Sequence, residues 1–284
     1  MTGRILKGIG GFYYVNVQGK TIQCKARGIF KKDGITPMTG DLVRINSEEE
    51  NTWIEEIYPR KNSLVRPAVA NIDLLVVVVA VTPSPQLALV DKMLVTASAK
   101  NIPACLCVNK IDLGKCPEIE KIYQDAGYKV FVTSAIDNTG INKLSEYLKD
   151  KFTAFAGNSG VGKSSVLNSI TGKTLETGGL SQKISRGKHT TRHVELIELE
   201  CGGYVFDTPG FSSYELSDIK AADLSKHFPE FESSIGKCKF SDCAHIKETG
   251  CDVIARVQSG EISASRHEHY CDLYNQLKLI KDWE

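Results

Sequence analysis

The sequence predicts a chain in three parts: a small β-barrel, a layered α/β domain and a mostly helical C-terminal module. Three observations predict it. Residues 1–60 divide into four or five short strand-like stretches separated by turn residues. From about residue 72 onward, apolar Val-rich runs alternate with stretches of helical periodicity. Past residue 217 the pattern is mostly helical and holds a close group of cysteines with a histidine. The expected boundaries are 1–64, 65–216 and 217–284.

Composition bounds the rest. The 284 residues are 42% hydrophobic and 24% charged, which fits a soluble globular chain of up to three domains. A formal net charge of +1 excludes a chain that is basic throughout. Residues 1–66 nevertheless hold 11 Lys/Arg against 7 Asp/Glu, and residues 217–284 hold 9 against 12. Attraction for nucleic acid is therefore expected at the N-terminal end. The opening "MTGRILKGIGG" has no apolar signal region, and the longest apolar run, Leu74 to Val81, is too short to cross a bilayer. No membrane association is expected. Nine cysteines, an odd number without scaffold density, suit the reducing cytoplasm, with some thiols free and some on metal.

The elements follow in order. "RILKGIGGFYYVNV" and "KTIQCKARGIF" flank Gln18-Gly19, a hairpin signal, and "GDLVRINSE" and "TWIEEIYPR" come next. An OB-like barrel is one candidate for these strands. Phe12, Tyr13, Tyr14 and Trp53 lie among Lys7, Lys25, Arg27 and Arg44. That mixture suits base stacking with phosphate contacts, or the aromatics fill the barrel core; both readings stand. "YPRKNSLVRP" reads as a basic linker. "IDLLVVVVAV" is a strand buried on both faces of a parallel sheet. Helices near 87–100, 118–126 and 141–149 alternate with the strands "PACLCVNK", "YKVFVTSA" and "FTAFA". "HVELIELE" and "GYVFDTPG" pair around Cys201-Gly202-Gly203.

Chemistry is written in four short stretches. Gly157, Asn158, Ser159, Gly160, Val161, Gly162, Lys163, Ser164 and Ser165 fit G-x-x-x-x-G-K-[ST] between a strand and a helix. Such a loop turns amide N–H groups toward phosphate oxygens. Its Lys reaches the β- and γ-phosphates, and its Ser ligates Mg²⁺. Asp207 to Gly210, "DTPG", ends a strand where a second Mg²⁺-associated acid belongs, and the Gly210 N–H can meet a γ-phosphate. "NKID" selects the base. Asp112 can accept two hydrogen bonds from the guanine edge, a donor pair that adenine lacks, while Asn109 braces the loop and the Lys110 stem lies over the ring. Ser134 and Ala135 of "TSA" can offer backbone to guanine O6. GTP or GDP is the expected ligand, in a central P-loop GTPase domain.

The order of these stretches is unusual. Ordinary GTPases run phosphate loop, switch Thr, D-x-x-G, N-K-x-D and S-A, whereas here N-K-x-D and S-A come first. The chain reads as circularly permuted, which compact domains with adjacent termini tolerate. Where many GTPases place a water-orienting Gln after D-x-x-G, this chain has Phe211. His189, in "GKHTTR", is the candidate to order the water instead. Thr190 or Thr191 ligates Mg²⁺; the sequence does not separate them.

Cys238, Cys243, His245 and Cys251 supply four soft or borderline ligands within 14 residues, a full set for a closed structural Zn²⁺ site. The other six cysteines show no grouping. Arg266, His267 and His269 are expected on a solvated helix face rather than on RNA.

The permuted order, the barrel before it and the cluster after it resemble the ribosome-small-subunit-dependent GTPase A family, RsgA, also called YjeQ or YloQ. "RKNSLVRP", "GNSGVGKSSVLN", "GKHTTRHVEL", "DTPGF" and the cysteine cluster carry the likeness over essentially the whole chain. The resemblance implies an N-terminal OB barrel that binds RNA, a permuted GTPase domain and a helical zinc-binding domain. It implies GTP hydrolysis stimulated by the small (30S) ribosomal subunit, binding to that subunit and its 16S rRNA during late maturation, and release after hydrolysis, by a monomer. It also implies a catalytic role for His189. Arg192 departs from the family pattern, which commonly has a third Thr there. Two other readings stay open: a nucleotide-gated RNA-binding scaffold with negligible hydrolysis, and a GTPase acting on a non-ribosomal partner.

Overall fold

Strand β1 (Thr2–Ile9) turns at Gly10-Gly11 into β2 (Phe12–Val17), which turns at Gln18-Gly19 into β3 (Lys20–Ala26). All four turn residues have positive φ, from 50° to 84°, as two-residue hairpins require. The stretch read as one strand around Gly10-Gly11 is thus two. After a short helix α1 (Ile29–Lys32) come β4 (Leu42–Glu48) and β5 (Asn51–Ile57). The pairing runs β1-β2-β3-β5-β4 and closes through β1–β4, with β3 and β5 parallel. This is a five-stranded barrel in OB order. The computed structural model describes residues 1–32, 34–48, 51–65, 67–172, 194–207, 216 and 219–279.

Alternation along the strands sorts the barrel's side chains. Ile5, Val15, Val17, Cys24, Val43, Ile45 and Ile54 fill the interior with Phe30. Phe12, Tyr14 and Trp53 are half-buried and do not belong to that buried set. Phe12, Lys25 and Trp53 stand in one cross-strand row, with the Lys25 ammonium 5.3 Å and 5.9 Å from the two rings. The core-filling reading therefore fails for these three. Of the four aromatics singled out in the barrel, Tyr13 alone packs partly against the interior.

Between barrel and central domain, β6 (Ser63–Leu64) pairs with β7 (Val69–Ala70). This segment is a staple rather than a free linker. Arg60 forks onto the fully buried Asp41 at 2.7 Å and 2.8 Å, Asn62 bonds both backbone groups of Ile72, and Lys61 pairs with Asp73.

The central sheet takes β8 (Leu74–Ala80), β9 (Ala104–Asn109), β10 (Lys129–Val132), β11 (Phe152–Ala156), β12 (Glu195–Glu198) and β13 (Tyr204–Asp207) in the order β10-β9-β8-β11-β13-β12. All pairs are parallel except β12–β13. Every residue of β8 is buried, as its continuous apolar run predicts. Its alternate residues feed two cores. Leu75, Val77 and Val79 pack under α2 (Leu87–Ala99) and α3 (Pro117–Asp125). Leu74, Val76 and Val78 pack under α4 (Ile141–Leu148) and α5 (Lys163–Thr171). Each such side chain contributes about 2 kcal/mol of burial. The barrel and the central sheet are one hydrogen-bonded surface, because β1 pairs with β12 at Lys7 and Glu195.

The C-terminal module has 3₁₀ helices at Ala221–His227 and Pro229–Ser234, then α6 (Asp252–Gln258) and α7 (Ala264–Leu279). Its core of Leu224, Phe228, Phe231, Val253, Tyr270, Leu273 and Leu277 also receives Val95 from α2. Beside that contact lies a buried ionic knot. Arg266, 1% exposed, holds Asp91 of α2 at 2.5 Å and grips both oxygens of Glu230. His269 and Tyr123 also donate to Asp91, at 2.6 Å and 2.9 Å. Burial lowers the Arg266 pKa, but Asp91 and Glu230 outweigh it and hold the guanidinium above its ordinary value. The expectation of a solvated helix face is wrong for these residues: Arg266 and His269 are turned inward because α2 and the 3₁₀ helix bring acids to meet them, while Glu268, Asp272 and Lys278 of the same helix stay exposed.

Candidate nucleotide site and Cys/His cluster

The loop between β11 and α5 is shaped by positive-φ glycines. Gly157 (φ 140°) passes so close to β8 that a Cβ would lie 2.2 Å from the Val78 carbonyl oxygen. Gly162 (φ 91°) leads into α5, and a Cβ there would lie 2.4 Å from Asn109 Nδ2. A side chain at either place would force the loop apart. Lys163 opens α5 and donates back to the carbonyls of Gly157 (2.5 Å) and Asn158 (2.9 Å). Burial lowers its pKa from the ordinary lysine value. The ammonium is thus held over the loop, and charge compensation from an anion would reverse that penalty.

Asn109 ends β9 and is 1% exposed. Its amide donates to the Val161 carbonyl at 3.0 Å, and its Oδ1 accepts from Thr133 Oγ1 and the Ala135 N–H, both at 3.3 Å. One side chain therefore ties the "NKID" loop to the phosphate loop and to "TSA". Lys110, at φ 63°, donates to Gly160 (2.7 Å) and Thr82 (2.9 Å). Asp112 is exposed, on a single 3₁₀ turn after Lys110. Ser134 is fully buried and bonded through its N–H to Thr139, and the Ala135 carbonyl accepts from Ser169 of α5. Three segments from distant parts of the chain thus converge at the C-terminal ends of parallel strands, where open α/β sheets bind ligands.

Asp207 ends β13, beside β11. Burial, then the neighbouring Glu195, raises its carboxyl above the ordinary value. A desolvated carboxylate beside another acid is the kind of group a divalent cation relieves, so the residues fit Mg²⁺. Ser164 is half-buried in the first turn of α5. His189, Thr190, Thr191, Arg192, Gly210 and Phe211 lie outside the described residues.

The second site is the Cys/His cluster. The ligand atoms of Cys238, Cys243, His245 and Cys251 all lie within 4.8 Å of one another. His245 Nδ1 is 3.5 Å and 3.4 Å from the sulfurs of Cys238 and Cys251, which are 3.9 Å apart. A tetrahedron with Zn–S about 2.3 Å and Zn–N about 2.0 Å has edges of about 3.5–3.8 Å, so the donor set fits a zinc ion. Burial raises the Cys243 and Cys251 thiols, and a bound cation would supply the charge that thiolates need. Three residues that sequence reasoning did not assign to the cluster hold it. Glu248 accepts the N–H groups of Ala244, Ile246 and Lys247; His267 donates to the His245 carbonyl at 2.7 Å; the Tyr270 hydroxyl donates to the Ala244 carbonyl. The position of Glu248 inside the ligand loop was the one available signal.

The fold and the converging loops define a P-loop GTPase whose motifs run in circularly permuted order. Comparison with known proteins agrees. A family model described as RsgA GTPase matches residues 57–217, and one described as RsgA N-terminal domain matches residues 2–54. The chain belongs to the RsgA GTPase family. It is 48% identical to the small ribosomal subunit biogenesis GTPase RsgA of Ruminiclostridium cellulolyticum, over 99% of this chain and 95% of that protein. It is 43% identical to the protein of that name from Bacillus velezensis, over 98% of each. The crystal structure of YloQ, a circularly permuted GTPase, superposes with a TM-score of 0.82 at 37% identity, covering 100% of this chain and 96% of that one. YjeQ from Thermotoga maritima gives 0.82 at 34% identity and 99% coverage of both.

Proposed function

We propose that this GTPase binds the small ribosomal subunit in its GTP state, contacts 16S rRNA, assists late maturation and leaves when GTP is hydrolysed. The names of its relatives support that target. The observation that carries the nucleotide chemistry is the buried Asn109 side chain, which joins the base loop to the phosphate loop. In this reading Asp112 selects guanine, with Lys110, Ser134 and Ala135 around the base. The backbone from Gly157 to Ser165 cradles the phosphates, and Lys163 leaves its loop carbonyls for the β- and γ-oxygens. Ser164, Asp207 and one of Thr190 and Thr191 hold Mg²⁺, and Gly210 meets the γ-phosphate. Bound Mg²⁺ neutralises charge developing on the phosphoryl oxygens. His189 orders the attacking water in place of the missing Gln.

The cluster holds one structural Zn²⁺, since four protein ligands leave no position for a reacting water. The row of half-buried Phe12 and Trp53 with exposed Lys25 suits stacked bases and phosphates, which supports an RNA-binding barrel. Domain boundaries near residues 64 and 216 suit this division of labour. We place the protein in the cytoplasm as a monomer; no described helix is long and apolar enough to cross a membrane. The test is GTP turnover with and without purified 30S subunits, with 50S subunits and ATP as controls. A rise specific to 30S and GTP is expected. A slow rate unchanged by 30S refutes the stimulated-GTPase reading and favours a guanine-gated scaffold.

A further inference from the structure

One row of side chains crosses five strands of the continuous sheet. The register sets Gln23 opposite Tyr14, Tyr14 opposite Lys7, Lys7 opposite Glu195, and Glu195 opposite Asp207. Directly opposed residues project to the same face. At about 4.8 Å per strand the row spans about 19 Å. It runs from the outside of the barrel to the acid at the phosphate end of the central sheet.

The joint between the two halves is the pair Lys7–Glu195. The register of β1 shifts between Ile5 and Lys7. That irregularity lets Ile5 fill the barrel and Leu6 pack against the central core, while Lys7 stays in the row. Lys7 Nζ meets Glu195 Oε1 at 2.8 Å and lies 5.5 Å from the centre of the Tyr14 ring. The two side chains are 29% and 47% exposed, so as a stabilising ion pair it is nearly worthless. Its consequence is local charge: Lys7 compensates the glutamate that stands beside Asp207.

We infer that Lys7 is a positioning residue of the nucleotide site: it holds Glu195 and so sets the charge around Asp207, linking that charge to the exposed face of the barrel. The inference rests on the proposed role of Asp207 toward Mg²⁺. A phosphate of single-stranded RNA lying along Tyr14 would compete for the Lys7 ammonium and leave the Glu195 charge uncompensated.

The experiment titrates Mg²⁺ into the full-length protein with a fluorescent, non-hydrolysable GTP analogue and reads binding. A unit charge about 8 Å from a divalent cation, in a water-like dielectric with physiological salt, changes its binding about two- to fivefold. Lys7→Met should lower the half-saturating Mg²⁺ concentration by that factor, and Glu195→Gln should raise it. The double variant should return near the unmodified value, and Lys7→Arg should match it. Opposite shifts are the signature, because a loosened strand joint would move both variants the same way. Shifts of one sign, or none, overturn the inference. Asp207→Asn separates the two levels. If it moves the titration and the Lys7 and Glu195 variants do not, this inference alone falls. If it too has no effect, the reading of Asp207 falls with it.

Discussion

Replacing Arg266 by Met removes the guanidinium that faces both acids of the knot, leaving Asp91 with His269 and Tyr123 and leaving Glu230 without its cation. Asp91 is fully buried, Glu230 is 5% exposed at its side chain, and Arg266 supplies three hydrogen bonds to them. Methionine fills much of the volume and keeps the apolar contact with Tyr123, Tyr128 and Phe228, over whose rings the guanidinium lies at 5.0–5.5 Å. The loss is therefore mainly electrostatic. Breaking a buried pair by removing one partner costs about 3–5 kcal/mol. Two carboxylates share the deficit here, so the upper half of that range is expected. Hydrogen exchange of the α2 and α7 amides in the full-length protein reads it directly: protection in α7 should fall by roughly three to four orders of magnitude. Lys121→Ala, which removes an exposed pair with Asp125, is the control and should change stability by under about 0.5 kcal/mol. If Arg266→Met costs no more than that control, the knot does not hold the C-terminal module to α2 and the argument from burial is wrong.

Other outcomes follow from the same geometry. Asp112→Ala should weaken GTP and GDP binding at least a hundredfold while leaving the melting temperature unchanged, measured by calorimetry. His189→Ala should keep nucleotide affinity and lose turnover by about a hundredfold or more; unchanged turnover would end its assignment to the water. Chelation under reducing conditions should release one zinc per chain and remove exchange protection from residues 238–251, with guanine binding retained. His227, which shares a 3.0 Å hydrogen bond with Ser98, has its pKa lowered chiefly by burial. Its folded pKa lies below the unfolded one, so the unfolded chain binds the extra proton. Stability should therefore fall as the pH drops below about 6.5, and His227→Gln should flatten that slope in denaturant titrations from pH 7.5 to 5.

The parts legible in the sequence are those governed by local pattern. The Val-rich run of β8 is buried throughout, the glycines at 157 and 162 stand where a side chain would clash, and Asn109 of "NKID" reaches the loop that holds them. The Cys/His cluster was readable because its four ligands lie within 14 residues. What escaped depends on distant partners. Nothing near Arg266 in sequence announces Asp91, 175 positions away, so a helix of mixed charge looked solvated. Arg60 read as linker charge because Asp41 becomes its partner only once the barrel closes. The side on which Phe12, Tyr14 and Trp53 fall was also hidden, since the turn at Gly10-Gly11 sets it for the first two and the pairing of β5 with β3 and β4 sets it for Trp53.

The stapled junction around Arg60, Asn62 and Lys61 has a last implication. Domains on a slack tether would meet a large assembly one after the other, each second contact won against the wandering of the first. Here the junction is hydrogen-bonded residue by residue, and β1 is stitched into the same sheet as β12. The barrel and the GTPase domain therefore behave as the two jaws of a caliper. A partner that touched both would have to present two landing points at that spacing, a constraint on its shape rather than on its sequence.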